Sequence, residues 1–100
     1  MTKKIERQMA MQIRLNRYTT EYLALEREKE AYYVSHVRDI SRTAIVTMYL
    51  MQSNIDTLIK QICTLTGRLI REDIDIDNEV AIEVYNYYEP RIKRGLSDLL

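Results

Sequence analysis

The stretch Met48–Leu69, MYLMQSNIDTLIKQICTLTGRL, decides the fold. Its apolar residues Met48, Met51, Ile55, Leu58, Ile62, Leu65 and Leu69 recur at alternating steps of three and four. Side chains at that spacing return to one face of an α-helix, and over about three repeats they make a heptad seam. Ile45, Ile59 and Ile70 flank the seam and widen it. A widened stripe suits a helix packed against two neighbours better than a simple two-stranded coil.

Toward the N-terminus a second seam runs through Met11, Leu15, Tyr18, Tyr22, Leu25 and Tyr32, interrupted by Lys29. Ile5, Leu23 and Val34 lie off it. Extended forward, it lands on His36, Asp39, Thr43 and Val46; the other seam, extended backward, lands on Ala44, Ser41, Val37 and Val34. The two are out of step by two residues, roughly 200° around a helix. A single straight helix would exchange its apolar face halfway along. A turn near residues 34–42 is the simpler expectation, with Ser35, Asp39 and Ser41 available as caps. The alternative is one continuous helix of about 65 residues, on the order of 100 Å long.

Little punctuates the chain. Gly67, Gly95 and Pro90 are its only glycines and proline, and good helix formers dominate the first 30 residues. Gly67 reads as a helix C-cap or as a small residue inside a helix. Past it, Asp77 reads as an N-cap with Glu79 in an acidic first turn. Pro90 favours a helix start over a helix interior, so Ile92, Leu96, Leu99 and Leu100 would line a short last helix. The expected architecture is one all-α domain over 1–100, a long antiparallel helical hairpin with a shorter C-terminal helical segment, completed as an oligomeric bundle. The spacing puts helix one at about 3–34, helix two at about 37–71, a linker at about 72–77, and C-terminal helices at about 78–88 and 90–99.

The linker contains Asp73, Asp75 and Asp77, alternating with Ile74 and Ile76. A calcium-binding EF-hand loop counted from Asp73 places Asn78 where glycine is needed and Val84 where the bidentate glutamate must stand. A strand reading has no partner strand. The preferred reading is an extended linker that tucks both isoleucines onto the bundle while Asp77 caps the next helix.

Hydrophobic residues make up 46% and charged residues 30%, a globular composition, and the formal net charge is zero. The charge is unevenly spread. Lys3, Lys4, Arg7, Arg14 and Arg17 face only Glu6 in residues 1–17, whereas residues 72–89 carry seven carboxylates and no base. In a hairpin these two segments meet. Cys63 is the only cysteine, so no intrachain disulfide forms, which fits a reducing compartment. No signal-peptide pattern and no apolar run long enough for a membrane is present, and the expected location is cytoplasmic.

No motif demands catalysis. His36 is the only histidine and lies in the expected turn, with no second His or Cys spaced for zinc. Cys63 beside a seam position reads as a packed side chain, and two isolated glycines cannot build a phosphate loop. Arg14, Arg38, Lys60 and Glu21 could serve a small all-helical enzyme, the third-ranked class, but no spacing calls for it. Neither a cofactor nor a metal is expected. The second-ranked class is a nucleic-acid-associated regulator, with Lys3, Lys4, Arg7 and Arg14 as a stripe of phosphate contacts. The preferred class is a noncatalytic protein–protein interaction module: a small adaptor, scaffold or inhibitor, homodimeric through the Met48–Leu69 seam. Tyr32, Tyr33, Tyr85, Tyr87 and Tyr88 would form its partner surface, since tyrosine is enriched in interface cores.

Overall fold

A computed structural model describes residues 2–94. Three helices account for most of them: α1 (Thr2–Ser35), α2 (Arg42–Arg71) and α3 (Glu79–Lys93). The first two form the hairpin, and α3 packs mainly on α2. The fold is elongated, 56 × 27 × 18 Å.

The phase break between the seams is a turn. His36 N–H donates to the Tyr32 and Tyr33 carbonyls at 3.0 and 3.2 Å and closes α1. Asp39 Oδ1 then accepts from Ser41 N–H at 2.9 Å, and Ser41 Oγ accepts from Ala44 N–H at 3.2 Å as the N-cap of α2. That bond from Ser41 holds the Asp39 carboxyl below its ordinary pKa. α2 thus begins at Arg42 rather than near residue 37, because Asp39 and Ser41 draw backbone donors into a turn before the helix can use them.

α2 ends in a Schellman motif. Ile74 N–H donates to the Leu69 carbonyl and Asp73 N–H to the Ile70 carbonyl, both at 3.0 Å. Asp73 takes the left-handed conformation this requires, at φ 57°. The first aspartate of the run is therefore a helix terminator. Ile74 and Ile76 pack on the core, and Asp73, Asp75 and Asp77 are exposed. Gly67 is inside the helix and buried; a Cβ there would come within 3.2 Å of the Tyr85 ring, so its smallness lets α3 approach.

The α3 N-cap is Asn78, one residue beyond the expected Asp77. Asn78 Oδ1 accepts from Ala81 N–H at 3.0 Å, while Nδ2 donates to Asn16 Oδ1 and to Thr19 Oγ1, both at 2.8 Å. An amide can accept and donate at once; a carboxylate can only accept. α3 also runs on through Pro90 instead of ending near Tyr88. Pro90 lies close to the C-terminus of α3, and Tyr88 and Ile92, one turn apart on either side of it, both pack on the core. That anchorage offsets the lost backbone bond. The rest of the expected last helix, with Leu96, Leu99 and Leu100, lies outside the described residues.

The core joins all three helices: Met11 and Leu15 of α1, Ile55, Ile59, Ile62, Cys63 and Leu69 of α2, Ala81 and Val84 of α3. Tyr18, Tyr22 and Leu25 extend it along α1. At 15 residues α3 is half as long as α2. It starts beside Asn16 and Thr19 and carries Tyr88 to the neighbourhood of Tyr22 and Glu26. Among the described residues the half of the hairpin that carries the turn therefore has two helices where the other half has three.

Candidate interaction surfaces

The seam divides at that boundary. Ile55, Leu58, Ile62, Leu65 and Leu69 are buried within the chain, and only Met48 and Met51 are left half-buried in the arm, the two-helix part. The five lower residues are thus the core of one chain rather than the contact between two chains expected from the sequence. A second copy could reach them only by opening the hairpin.

The arm exposes a different apolar surface. Ile45, Val46, Tyr49 and Leu50 are 59, 47, 76 and 58% exposed. At 100° per residue they span about 140° of the helix surface, centred roughly 160° from Ala44, Met48, Met51 and Ile55, which face α1. The first half of α2 is therefore apolar on two opposite sides. Ile45 belongs to the outer one, so it does not widen the seam as expected; Ile70, at 49% exposed, does not either, whereas Ile59 is buried. From Ser53 onward the outer side carries Ser53, Asn54, Thr57, Lys60, Gln61, Thr64 and Arg68, all exposed. Val34 and Val37 on the α1 side of the turn and Ile40 within it add to the exposed apolar surface.

The tyrosines do not gather into one surface. Tyr85 and Tyr88 pack on the core, and Tyr87 stays exposed, edge-on to Tyr88 with ring centroids 4.7 Å apart. Tyr32 stacks on His36 at 4.0 Å, and the His36 Nδ1 lies 3.0 Å from the Tyr32 carbonyl. Tyr33 is exposed on the arm. Tyr88 lies beside Tyr22, and Tyr32 is about 15 Å further along α1. Burial, with Tyr88 and Glu26 beside it, pushes the Tyr22 hydroxyl up to about 12.

The basic stripe is broken differently. Lys3 and Lys4 are exposed, and Arg7 forms an ion pair with Glu72. That pair, with Arg68 and Lys4 nearby, holds the Glu72 carboxyl below its ordinary value. The meeting of the basic start with the acidic linker, expected from a hairpin, is realised here and where Gln12 Nε2 donates to the Asp75 carbonyl at 3.1 Å. Arg14 instead joins Lys60 and Arg68 of α2 around an open groove of about 280 Å³, with Tyr18, Thr64 and Leu65 in its walls. No carboxylate lines it. Of the residues weighed for catalysis, Arg14 and Lys60 come together, but Glu21 is exposed elsewhere on α1 and Arg38 sits in the turn. The groove supplies positive charge without an acid–base partner.

Cys63 is buried, with its Sγ 4.0 Å from the Val84 carbonyl. Burial, with Glu89 nearby, pushes its thiol up to about 11, so at neutral pH it is protonated and unreactive. Among the described residues no three of His, Cys, Asp and Glu converge as metal ligands would. No described helix is long and apolar enough to cross a membrane. No family model, no curated protein and no solved structure matches this chain.

Proposed function

We propose that this chain is a noncatalytic protein-binding module, an adaptor, scaffold or inhibitor whose working element is the two-helix arm. The outer side of α2 supports this reading: it is apolar at Ile45, Val46, Tyr49 and Leu50 and polar from Ser53 onward. A helix apolar on two opposite sides is normally covered on both. Soluble monomers rarely leave so large an apolar patch open, and where they do it marks an interaction site. An intracellular site of action belongs to the same reading, because the chain has one buried, unpaired cysteine.

Site-specific photo-crosslinking in the cells that make the protein tests it. A crosslinking side chain in place of Tyr49 is expected to yield protein adducts, and one in place of Thr64 is not. Absence of protein adducts at position 49 would overturn the reading.

The groove of Arg14, Lys60 and Arg68 favours a second reading, a nucleic-acid-associated regulator. Phosphate binding would use these cations with Lys3 and Lys4 and would weaken steeply with salt. Against it stand the Arg7–Glu72 pair and the acidic 72–89 segment. Nucleic-acid adducts at position 64, lost at raised salt, would promote this reading over the first.

A further inference from the structure

We infer that the apolar side of the arm is covered by a second copy of this chain, the two α2 helices packing antiparallel through their outer sides. The inference rests on the protein-binding reading above and names its partner. Two observations favour a second copy over an unrelated protein, and a third sets the direction of the arms.

The first is charge. From Thr43 to Ile55 α2 carries no charged residue, in a chain with 30% charged residues. A two-fold interface brings the same residues together at its axis, where any charge would face its own copy. An uncharged strip avoids that conflict. An interface with a different protein has no such restriction and commonly uses charge to select its partner.

The second is area. At their observed exposures, Ile40 and the four outward α2 side chains leave roughly 700 Å² open per copy, close to the ~800 Å² per partner of a standard stable interface.

Arg42 sets the direction of the arms. It stands one turn before Val46 on the outer side of α2. Centred on Val46, antiparallel arms carry each Arg42 about 6 Å past the centre, to the level of the other copy's Leu50. Parallel arms would set arginine against arginine.

The test is light scattering after size exclusion on the full chain, over a concentration series, with circular dichroism of each variant as a check on folding. The wild type is expected to reach twice the 12.0 kDa chain mass. Tyr49→Lys, at an exposed position, is expected to keep its helicity and weaken the dimer at least about 30-fold, the effect of losing a hot-spot tyrosine. Arg42→Ala is expected to change the dimer far less. A wild type that stays monomeric throughout overturns the inference, and so does a dimer indifferent to Tyr49→Lys. A dimer that Arg42→Ala tightens overturns the antiparallel arrangement. A monomer that still forms protein adducts at position 49 in cells would remove the second copy and leave the protein-binding reading in place.

Discussion

The two ends of the hairpin are built from the same pair of helices and differ in what lies on them. Away from the turn α3 supplies a third wall beside the middle of α1, and Leu15, Ile55, Ile59, Ile62 and Leu69 are fully buried. Ile5, Met9 and Ile13 at the start of α1 stay more than half exposed. At the turn end no third wall stands among the described residues, and Val34, Val37, Ile40, Tyr49 and Leu50 are each more than half exposed. The second half of α2 accordingly turns Lys60, Gln61, Thr64 and Arg68 to solvent. In the first half, where an ordinary surface helix would do the same, apolar residues face outward. The stretch of the hairpin beside α3 is a finished core, and the arm is a half-made one.

Substitutions of similar chemistry at the two ends should therefore differ widely. Ile62→Ala removes a side chain with no solvent exposure and should destabilise the fold by about 2–5 kcal/mol. Leu50→Ala, where the side chain is 58% exposed, should stay within about 0.5 kcal/mol. Urea denaturation at a concentration low enough to keep the protein monomeric checks both. Equal losses would mean that the arm belongs to the same core and would end the comparison.

Asn78 tests how the finished end is locked. Asn78→Ala removes a cap and two bonds to α1, a loss of about 2 kcal/mol. Asn78→Asp keeps the acceptor for Ala81 N–H and loses the donors, so about half of that loss should remain. Asp77→Ala should change little. If Asp77→Ala were instead the costlier change, the cap would be misassigned.

The opposite sign is expected one linker away. Asp73 holds a left-handed conformation that glycine adopts without strain. Asp73→Gly should stabilise the fold by about 0.5–1 kcal/mol, read as a rise in the urea midpoint. A fall would mean that the Asp73 side chain contributes something beyond ending α2.

These residues also show what could be read from the sequence. Both seams were legible, because a period of three and four survives without any tertiary information, and their phase difference located the turn. The choice between Asp77 and Asn78 was not legible. Both are good caps, and the decision lies with Asn16 and Thr19, some sixty positions away. Pro90 was misread for a similar reason: Tyr88 and Ile92 hold α3 together across it, and their partners lie on other helices. The arm was hidden most completely. Ile45 looked like one more seam residue, and Tyr32 and Tyr33 looked like companions of Tyr85 and Tyr88. Which side of α2 faces outward follows from how the hairpin packs on α1, and no single residue of the arm encodes that. The cationic groove depends in the same way on hairpin register, which sets Arg14 opposite Lys60 and Arg68.

The smallest expected effect concerns the ion pair that ties the linker to the start of α1. Glu72 binds a proton less readily in the folded chain than in the unfolded one, because Arg7 donates to its carboxylate and Arg68 and Lys4 lie nearby. A carboxyl shifted in that direction adds its full stabilisation above the ordinary carboxylate range. The stabilisation declines as pH falls through that range and is gone below the folded-state value. Glu72→Gln removes the titrating group and keeps the shape. The stability difference between wild type and Glu72→Gln should therefore be positive at neutral pH and close as the solution is acidified. Added salt should narrow it as well, because the pair is partly exposed. A difference that persists unchanged into acid would assign the effect to packing of the Glu72 side chain and not to its charge. The basic start and the acidic linker would then meet by shape alone, and the finished end of the molecule would owe nothing to electrostatics at this contact.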